Sequence, residues 1–261
     1  KHPKGIPICA ENSARIRKHP KGIPICAENS ARIRKHPKGI PICAENSARI
    51  RKGEVFMHYT GTIWRPPYEV TSLLLEVTAG CTHHKCKFCT LYHDLPFNFR
   101  MSPMEVIEYD LQEVNKSIKG RNCKNIERVF LTGANPFVLS YDKLTAIAEL
   151  IHKYLPSVKS IGSFARITDV MPKTDRELAK LCALGYDGLT IGIETGDDEA
   201  LRFMNKGYTS ADIIEQCQRL DAAGIHYSFF YLVSISGAGR GEIGAKLTAA
   251  ICNQIHPTLI G

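Results

Sequence analysis

Long apolar runs are missing from this sequence. None approaches the roughly 20 residues that cross a bilayer, and no basic n-region with an apolar h-region precedes a cleavage site. Membrane insertion and secretion are therefore not expected, and the chain reads as cytoplasmic. An excess of charge on the body of the chain is missing too. The formal net charge is +8, but three identical copies of KHPKGIPICAENSARIR fill positions 1–51 and hold twelve of the 34 Lys/Arg against three of the 26 Asp/Glu. The rest carries 22 basic against 23 acidic residues, a net of −1. A dedicated nucleic-acid-binding fold would carry positive charge on its folded body, so that class is disfavoured. With 44% hydrophobic and 23% charged residues, the composition excludes a disordered or collagen-like chain.

Each repeat uses two prolines and a glycine in turns and offers only isolated aliphatics, too little for a solenoid unit. Residues 1–51 are expected to be poorly ordered, with a basic tether for RNA as the lesser alternative. Residues 52–69 read as a segment leading into one domain over 70–261. Of the ten cysteines, Cys9, Cys26 and Cys43 are a single repeat position. Cys123, Cys182, Cys217 and Cys252 scatter through periodic segments, as small buried apolar residues do.

From position 70, short aliphatic or aromatic runs alternate with amphipathic stretches. Strands are expected at 72–77, 127–132, 158–164, 187–193, 226–233 and 257–260. Helices are expected near 103–117, 141–154, 174–184, 197–204 with 210–222, and 241–254. Ser102-Pro103 and Ser140 fit helix starts, and Gly185 and Gly224 fit helix stops. Such alternation implies parallel strands joined by right-handed crossovers, hence an α/β barrel or a doubly wound sheet. The sequence begins without Met and ends on the sixth strand, so a longer protein with a further C-terminal part is expected.

The informative cysteines are Cys81, Cys86 and Cys89 in GCTHHKCKFCTLY. CxxxxCxxC places three thiolates on one loop after a strand. A structural zinc site needs a fourth ligand to close its tetrahedron, and His83, His84 or His93 is within reach in sequence. An iron–sulfur cubane held by three cysteines instead leaves one iron open to a further ligand. Spacing alone allows both.

Two further motifs follow. Thr132-Gly133-Ala134-Asn135-Pro136 ends the second expected strand, and Gly188-Leu-Thr-Ile-Gly-Ile-Glu194-Thr-Gly196, with Lys206 downstream, ends the fourth. In combination these residues resemble the radical SAM enzymes, in which a CxxxCxxC loop follows the first strand of a partial (β/α)6 TIM-like barrel. The extra residue between the first two cysteines is a departure, while KCKFC keeps the aromatic before the last. The resemblance covers roughly 70–261 and implies a barrel of this type, truncated at its sixth strand.

The resemblance implies that Cys81, Cys86 and Cys89 hold three irons of a [4Fe–4S] cluster whose fourth iron chelates S-adenosylmethionine. Gly133 and Ala134 would let backbone approach the methionine amino group, with Asn135 accepting its hydrogen bond. Glu194 would contact the ribose or methionine part, and Lys206 the carboxylate, as a point charge rather than a bidentate clamp. Ser163 and Arg166 would face ribose or substrate. Phe88 and the backbone of Gly237-Ala238-Gly239 would lie near the adenine. Trp64, Arg65 and Tyr68 are expected to pack at the barrel mouth.

One argument is independent of the family. In a parallel barrel all strand C-termini open on one face, so the Cys loop, Gly133–Pro136, Arg166, Glu194 and Gly237–Gly239 share a rim. A zinc knuckle with a basic RNA-binding tail, the alternative, explains only the first of these. The expected activity is reductive cleavage of S-adenosylmethionine to a 5′-deoxyadenosyl radical that takes hydrogen from a substrate. The substrate, a small molecule, peptide or tRNA, is not legible. An electron donor such as flavodoxin or ferredoxin is implied. No second cysteine cluster suggests an auxiliary centre.

Overall fold

The computed structural model describes residues 57–121 and 126–261; the repeats and Cys123 lie outside the described residues. In chain order the elements are β1 (Leu73–Glu76), β2 (Thr78–Gly80), β3 (Phe99–Met101), α1 (Met104–Arg121), β4 (Arg128–Thr132), a 3-10 turn (Pro136–Val138) and α2 (Tyr141–Tyr154). Then come β5 (Ser160–Ala165), α3 (Ile167–Val170), α4 (Asp175–Ala183), β6 (Tyr186–Glu194), α5 (Asp198–Phe203), α6 (Ser210–Ala223), β7 (His226–Tyr231), α7 (Gly241–Cys252) and β8 (Leu259–Ile260).

The main sheet runs β1-β4-β5-β6-β7-β8, with every pair parallel. Each crossover places the next strand beside the last, without the reversal that defines a doubly wound sheet. The architecture is that of a partial TIM-like barrel, and β1 and β8 are not paired with each other. The six expected strands and their intervening helices are present, though the last strand covers only Leu259–Ile260.

Two-residue periodicity assigns the faces. Leu75, Val129, Leu131, Ile161, Leu189, Ile191 and Phe229 join Ile107, Leu111, Leu144, Ile147, Leu178, Leu181 and Ile213 of the helices in a single core. Each such fully buried aliphatic contributes about 2 kcal/mol. Helix starts are fixed locally: Ser140 caps α2, and Thr174 with Glu177 and Thr209 with Asp212 form capping boxes on α4 and α6. The other sheet face carries Glu76, Thr132, Gly162, Thr190 and Gly192 and lines the inside of the partial barrel.

The segment before β1 corrects one expectation. Arg65 and Tyr68 belong to the opposite end of the barrel from the Cys loop, whereas Trp64 lines a small cleft with Glu76, Thr78, Tyr92 and Gly133 at the loop's end. Arg65 donates to the carbonyls of Glu69 and Ser72, Tyr68 Oη meets Thr190 Oγ1 at 2.8 Å, and Trp64 stays partly exposed. Glu69 then pairs with Arg128 at 2.6 Å, and Arg128 with Asp187 at 2.9 Å. Arg128 and Asp187 begin β4 and β6, so this ion network floors the barrel at the strands' N-terminal ends. A cavity of about 280 Å³ lies there, lined in part by Tyr68, Arg128, Thr190, His226 and Ser228. No helix among the described residues is long and apolar enough to cross a membrane.

Candidate functional site

The Cys loop does not spring directly from β1. Val77 turns the chain into β2, which pairs antiparallel with β3, so a short ribbon clamps both ends of the loop. Cys81 N–H donates to Asn98 O at 2.7 Å across its base. The loop is also tied to the segment after α5. Lys87 N–H donates to Met204 O at 3.1 Å, Asn205 Nδ2 to Lys85 O at 3.1 Å, and His83 Nε2 meets Asn205 O at 2.5 Å. These bonds use backbone and His83, leaving the three thiols free and partly exposed.

Burial pushes the Cys86 thiol up, Lys206 and Arg166 draw it back down, and Cys81 and Cys89 push it up again. Lys206 and Arg166 thus lie near enough to Cys86 to act on its charge. Three soft thiolates on one loop, with cations to offset negative charge, fit an iron–sulfur cluster with one uncommitted iron. Two of the histidines offered as a fourth zinc ligand already have partners. His83 is bound to Asn205, while His84 Nδ1 meets Asn98 Oδ1 at 3.1 Å and its ring lies 4.9 Å from that of His93.

Gly133 stands at the end of β4 with φ +126, where a Cβ would lie 2.0 Å from Thr78 Oγ1. Only glycine fits this approach, and what approaches is Thr78 of the neighbouring ribbon. Ala134 N–H donates to Gly80 O at 3.3 Å, one residue before Cys81. Asn135 is fully buried. Its Nδ2 donates to Thr82 Oγ1 at 2.8 Å and to Asp169 at 3.1 Å, and its Oδ1 accepts from Thr82 N–H at 3.3 Å. Its amide thus fastens the Cys loop to the turn after β5, a role different from the expected contact with an amino group.

Ser163 corrects a second expectation. It alternates with Ile161 and Ala165, so it faces the helix side, fully buried, and Oγ donates to Phe164 O. Arg166, one residue beyond β5, faces the rim: its guanidinium donates to Thr168 Oγ1 and to Lys206 O. Its N–H donates to Asp169 Oδ2 at 2.7 Å. Sequence reasoning passed over Asp169, although a carboxylate three residues after Arg166 is the spacing of a capping box. Burial pushes its carboxyl up to about 6.

Glu194 ends β6 at φ +67, beyond an irregularity in the β6–β7 register. Its side chain curls back over Gly192, where a Cβ would sit 2.5 Å from Glu194 Oε1. There it meets Lys206 Nζ at 3.2 Å, and Lys206 also donates to Gly192 O at 2.8 Å. The ammonium lies 5.5 Å from the Phe88 ring and 5.5 Å from the Tyr208 ring. Lys206 therefore links the Cys loop to the end of β6. Tyr208, whose hydroxyl donates to Gly192 O at 2.9 Å, had no signal in the sequence beyond its nearness to Lys206. After β7, Gly237 and Gly239 have positive φ and open space where a Cβ would stand.

The sequence profile of the radical SAM superfamily matches residues 75–243, the span that holds this rim. The chain belongs to the radical SAM superfamily. Members of this superfamily use a [4Fe–4S] cluster and S-adenosylmethionine. Among curated proteins the chain is similar to 4'-phospho-dehydrooxetanocin synthase of Priestia megaterium, 27% identical over 176 residues, covering 62% of this chain and 23% of that protein. The chain thus spans about a quarter of that relative.

Solved radical SAM folds resemble it as well. OxsB, a cobalamin-dependent S-adenosylmethionine radical enzyme with aqua-cobalamin and S-adenosylmethionine bound, superposes with a TM-score of 0.58 at 20% identity, over 72% of this chain and 27% of that one. TsrM, a radical S-adenosylmethionine methyltransferase from Kitasatospora setae with tryptophan and a SAM analogue bound, gives 0.57 at 16% identity, over 79% and 39%. These likenesses concern the fold. The family match leaves the zinc-knuckle alternative without support.

Proposed function

We propose that this chain is the catalytic core of a radical SAM enzyme, with Cys81, Cys86 and Cys89 holding three irons of a [4Fe–4S] cluster. Held there, the cluster would supply the one-electron reduction that cleaves S-adenosylmethionine and so opens a substrate to hydrogen-atom abstraction. The chain's own residues do the placing. Lys206 offers a nearly buried ammonium at the rim to the cofactor's carboxylate, and Glu194 holds that ammonium until the carboxylate arrives. Arg166 fixes the backbone of Lys206, and the open backbone at Gly237–Gly239 leaves room for a flat base. Phe88 shields the space beside Cys89 from water. Asn135 and Asp169 hold the loop in register with the rim, a positioning role.

The observation that carries this reading is that the cysteine loop, Arg166 and Lys206, distant in sequence, meet at the strands' C-terminal ends: His83 is bonded to Asn205 O, Arg166 to Lys206 O, and the Lys206 ammonium lies 5.5 Å from the Phe88 ring. A low-potential reductant and a substrate complete the reaction. The substrate class, small molecule, peptide or tRNA, is left open by these residues. Anaerobically reconstituted protein, reduced in the presence of S-adenosylmethionine, is expected to release 5′-deoxyadenosine. Iron-loaded, reduced protein that leaves the cofactor intact would refute the proposal.

A further inference from the structure

The cavity of about 280 Å³ at the strands' N-terminal ends lies at the other end of the barrel from the cysteine loop, and the reaction proposed above makes no use of it. Its volume equals that of about nine waters, enough for a small organic molecule. The walls come from separate parts of the chain: Tyr68 before β1, Arg128 and Thr190 on β4 and β6, Ser228 on β7, and Thr258 on the approach to β8.

The charges around it are fixed in place. Arg128 lies across Gly162 and Gly188, where a Cβ would stand 2.6 Å from Nη2 in each case. It donates through Nε and Nη2 to Glu69, at 2.9 and 2.6 Å, and through Nη1 to Asp187 at 2.9 Å and to Ser160. The guanidinium keeps a single N–H to spare. Glu69 and Asp187, both of which line the cavity, outnumber Arg128 by one, so an entering anion would meet net negative charge. The two carboxylates differ. Glu69 is 3% exposed and is taken up by Arg128, whereas the Asp187 side chain is 41% exposed. Asp187 Oδ1 accepts from Arg128 and Ser160, and Oδ2 makes no hydrogen bond among the described residues. The hydroxyls of Tyr68 and Thr190 meet at 2.8 Å, and with Ser228 they supply groups that donate or accept as a ligand requires.

We propose that this cavity binds a small organic ammonium ion that also carries a hydroxyl group, with the ammonium on Asp187 and the hydroxyl among Tyr68, Thr190 and Ser228. Such a molecule is a second ligand, distinct from the substrate at the cysteine rim. By touching the segment before β1 together with β6 and β7, it stabilises the folded chain in proportion to its occupancy. The site does not depend on the radical SAM reading.

The test uses the full chain and 4-amino-1-butanol as the probe, with 1,4-butanediol and 4-hydroxybutyrate as its neutral and anionic counterparts. Saturation-transfer NMR and the Tm report binding. The amine is expected to show transfer and to raise the Tm, the diol to bind about tenfold or more weakly, and hydroxybutyrate not to bind. Asp187→Asn should lower affinity for the amine about tenfold or more, bringing it level with the diol. Thr258→Trp, at an exposed position of the cavity wall, leaves the Arg128 ion network intact and fills the space. It should abolish binding of amine and diol alike, and it keeps the test decisive if Asp187→Asn does not fold. No binding of the amine, equal binding of the three compounds, or amine binding that survives Thr258→Trp would overturn the proposal. Preferential binding of hydroxybutyrate would mean that Arg128 captures an anion, and would overturn it as well.

Discussion

The Lys206 ammonium stands 3.2 Å from the Glu194 carboxylate, with the two side chains only 5% and 11% exposed. A pair this sheltered is weak evidence of net stability, but removing one partner strands the other charge. The pair occupies the point where the loop, β6 and the segment after α5 meet, and Glu194 takes up a left-handed backbone to reach it. Strain of this kind clusters where function requires a geometry.

Glu194→Gln is expected to lower stability by about 3 kcal/mol, read from urea denaturation. Saturating S-adenosylmethionine should raise the Tm of this variant more than that of the unaltered protein, because the incoming carboxylate replaces the lost charge. Lys206→Ala should weaken cofactor binding by about tenfold or more, as measured by calorimetry on reconstituted protein. Equal Tm gains in variant and unaltered protein would mean that no ligand carboxylate reaches Lys206.

A second buried cluster sets a pH dependence. Asp110 on α1 accepts from His58 N–H at 3.1 and 3.2 Å, and Glu76 lies 3.7 Å from His58 Nε2. Burial pushes the Asp110 carboxyl from 3.8 up to about 8 and the His58 imidazole from 6.5 down to about 4. Between about pH 4 and 6.5 the folded chain keeps a proton on Asp110 that the unfolded chain has lost, and lacks one on His58 that the unfolded chain has gained. Those two effects cancel, and Glu76, also raised by burial, adds a fall in stability as pH climbs through its folded value. From 6.5 to about 8 the Asp110 proton remains as the difference. Stability should fall there by about 1.4 kcal/mol per pH unit, about 2 kcal/mol in all. Asp110→Asn should flatten that part of the profile. An unchanged slope in this variant would contradict the assignment.

The Asn135 amide bridges Thr82 and Asp169 while fully buried, so Asn135→Ala leaves several polar groups without partners. A loss of about 2 kcal/mol in stability is expected, together with faster loss of iron from the reconstituted centre on exposure to a chelator. Asn135→Ala with unaltered iron retention would limit this residue to a purely structural role.

Much of this architecture was legible because each main strand carries a run of aliphatics long enough to show its period, as in ERVFLT and DGLTIGI. The ribbon of β2 and β3 was not, since Thr-Ala-Gly and Phe-Arg-Met are too short to display alternation and their pairing depends on the loop between them. The cysteine spacing singled out the loop but by itself allowed zinc as well as an iron–sulfur centre. Ser163 was misplaced because the end of a strand does not by itself say which face a residue occupies; counting from Ile161 does. Glu194 and Lys206 were recognised singly, but their mutual contact depends on a bulge and a left-handed residue that no propensity announces. The Arg128 network was invisible because its partners Glu69 and Asp187 come from segments far apart in the chain.

The most direct measurement of the central claim is the iron and acid-labile sulfide content of the anaerobically reconstituted full chain, with Mössbauer spectra, compared with the Cys81→Ala, Cys86→Ala, Cys89→Ala and Cys217→Ala variants. The account predicts about four irons and four sulfides per chain, lost in each of the first three variants and retained in Cys217→Ala. Stoichiometric zinc without sulfide, or a centre that survives loss of any of the three loop cysteines, would contradict it.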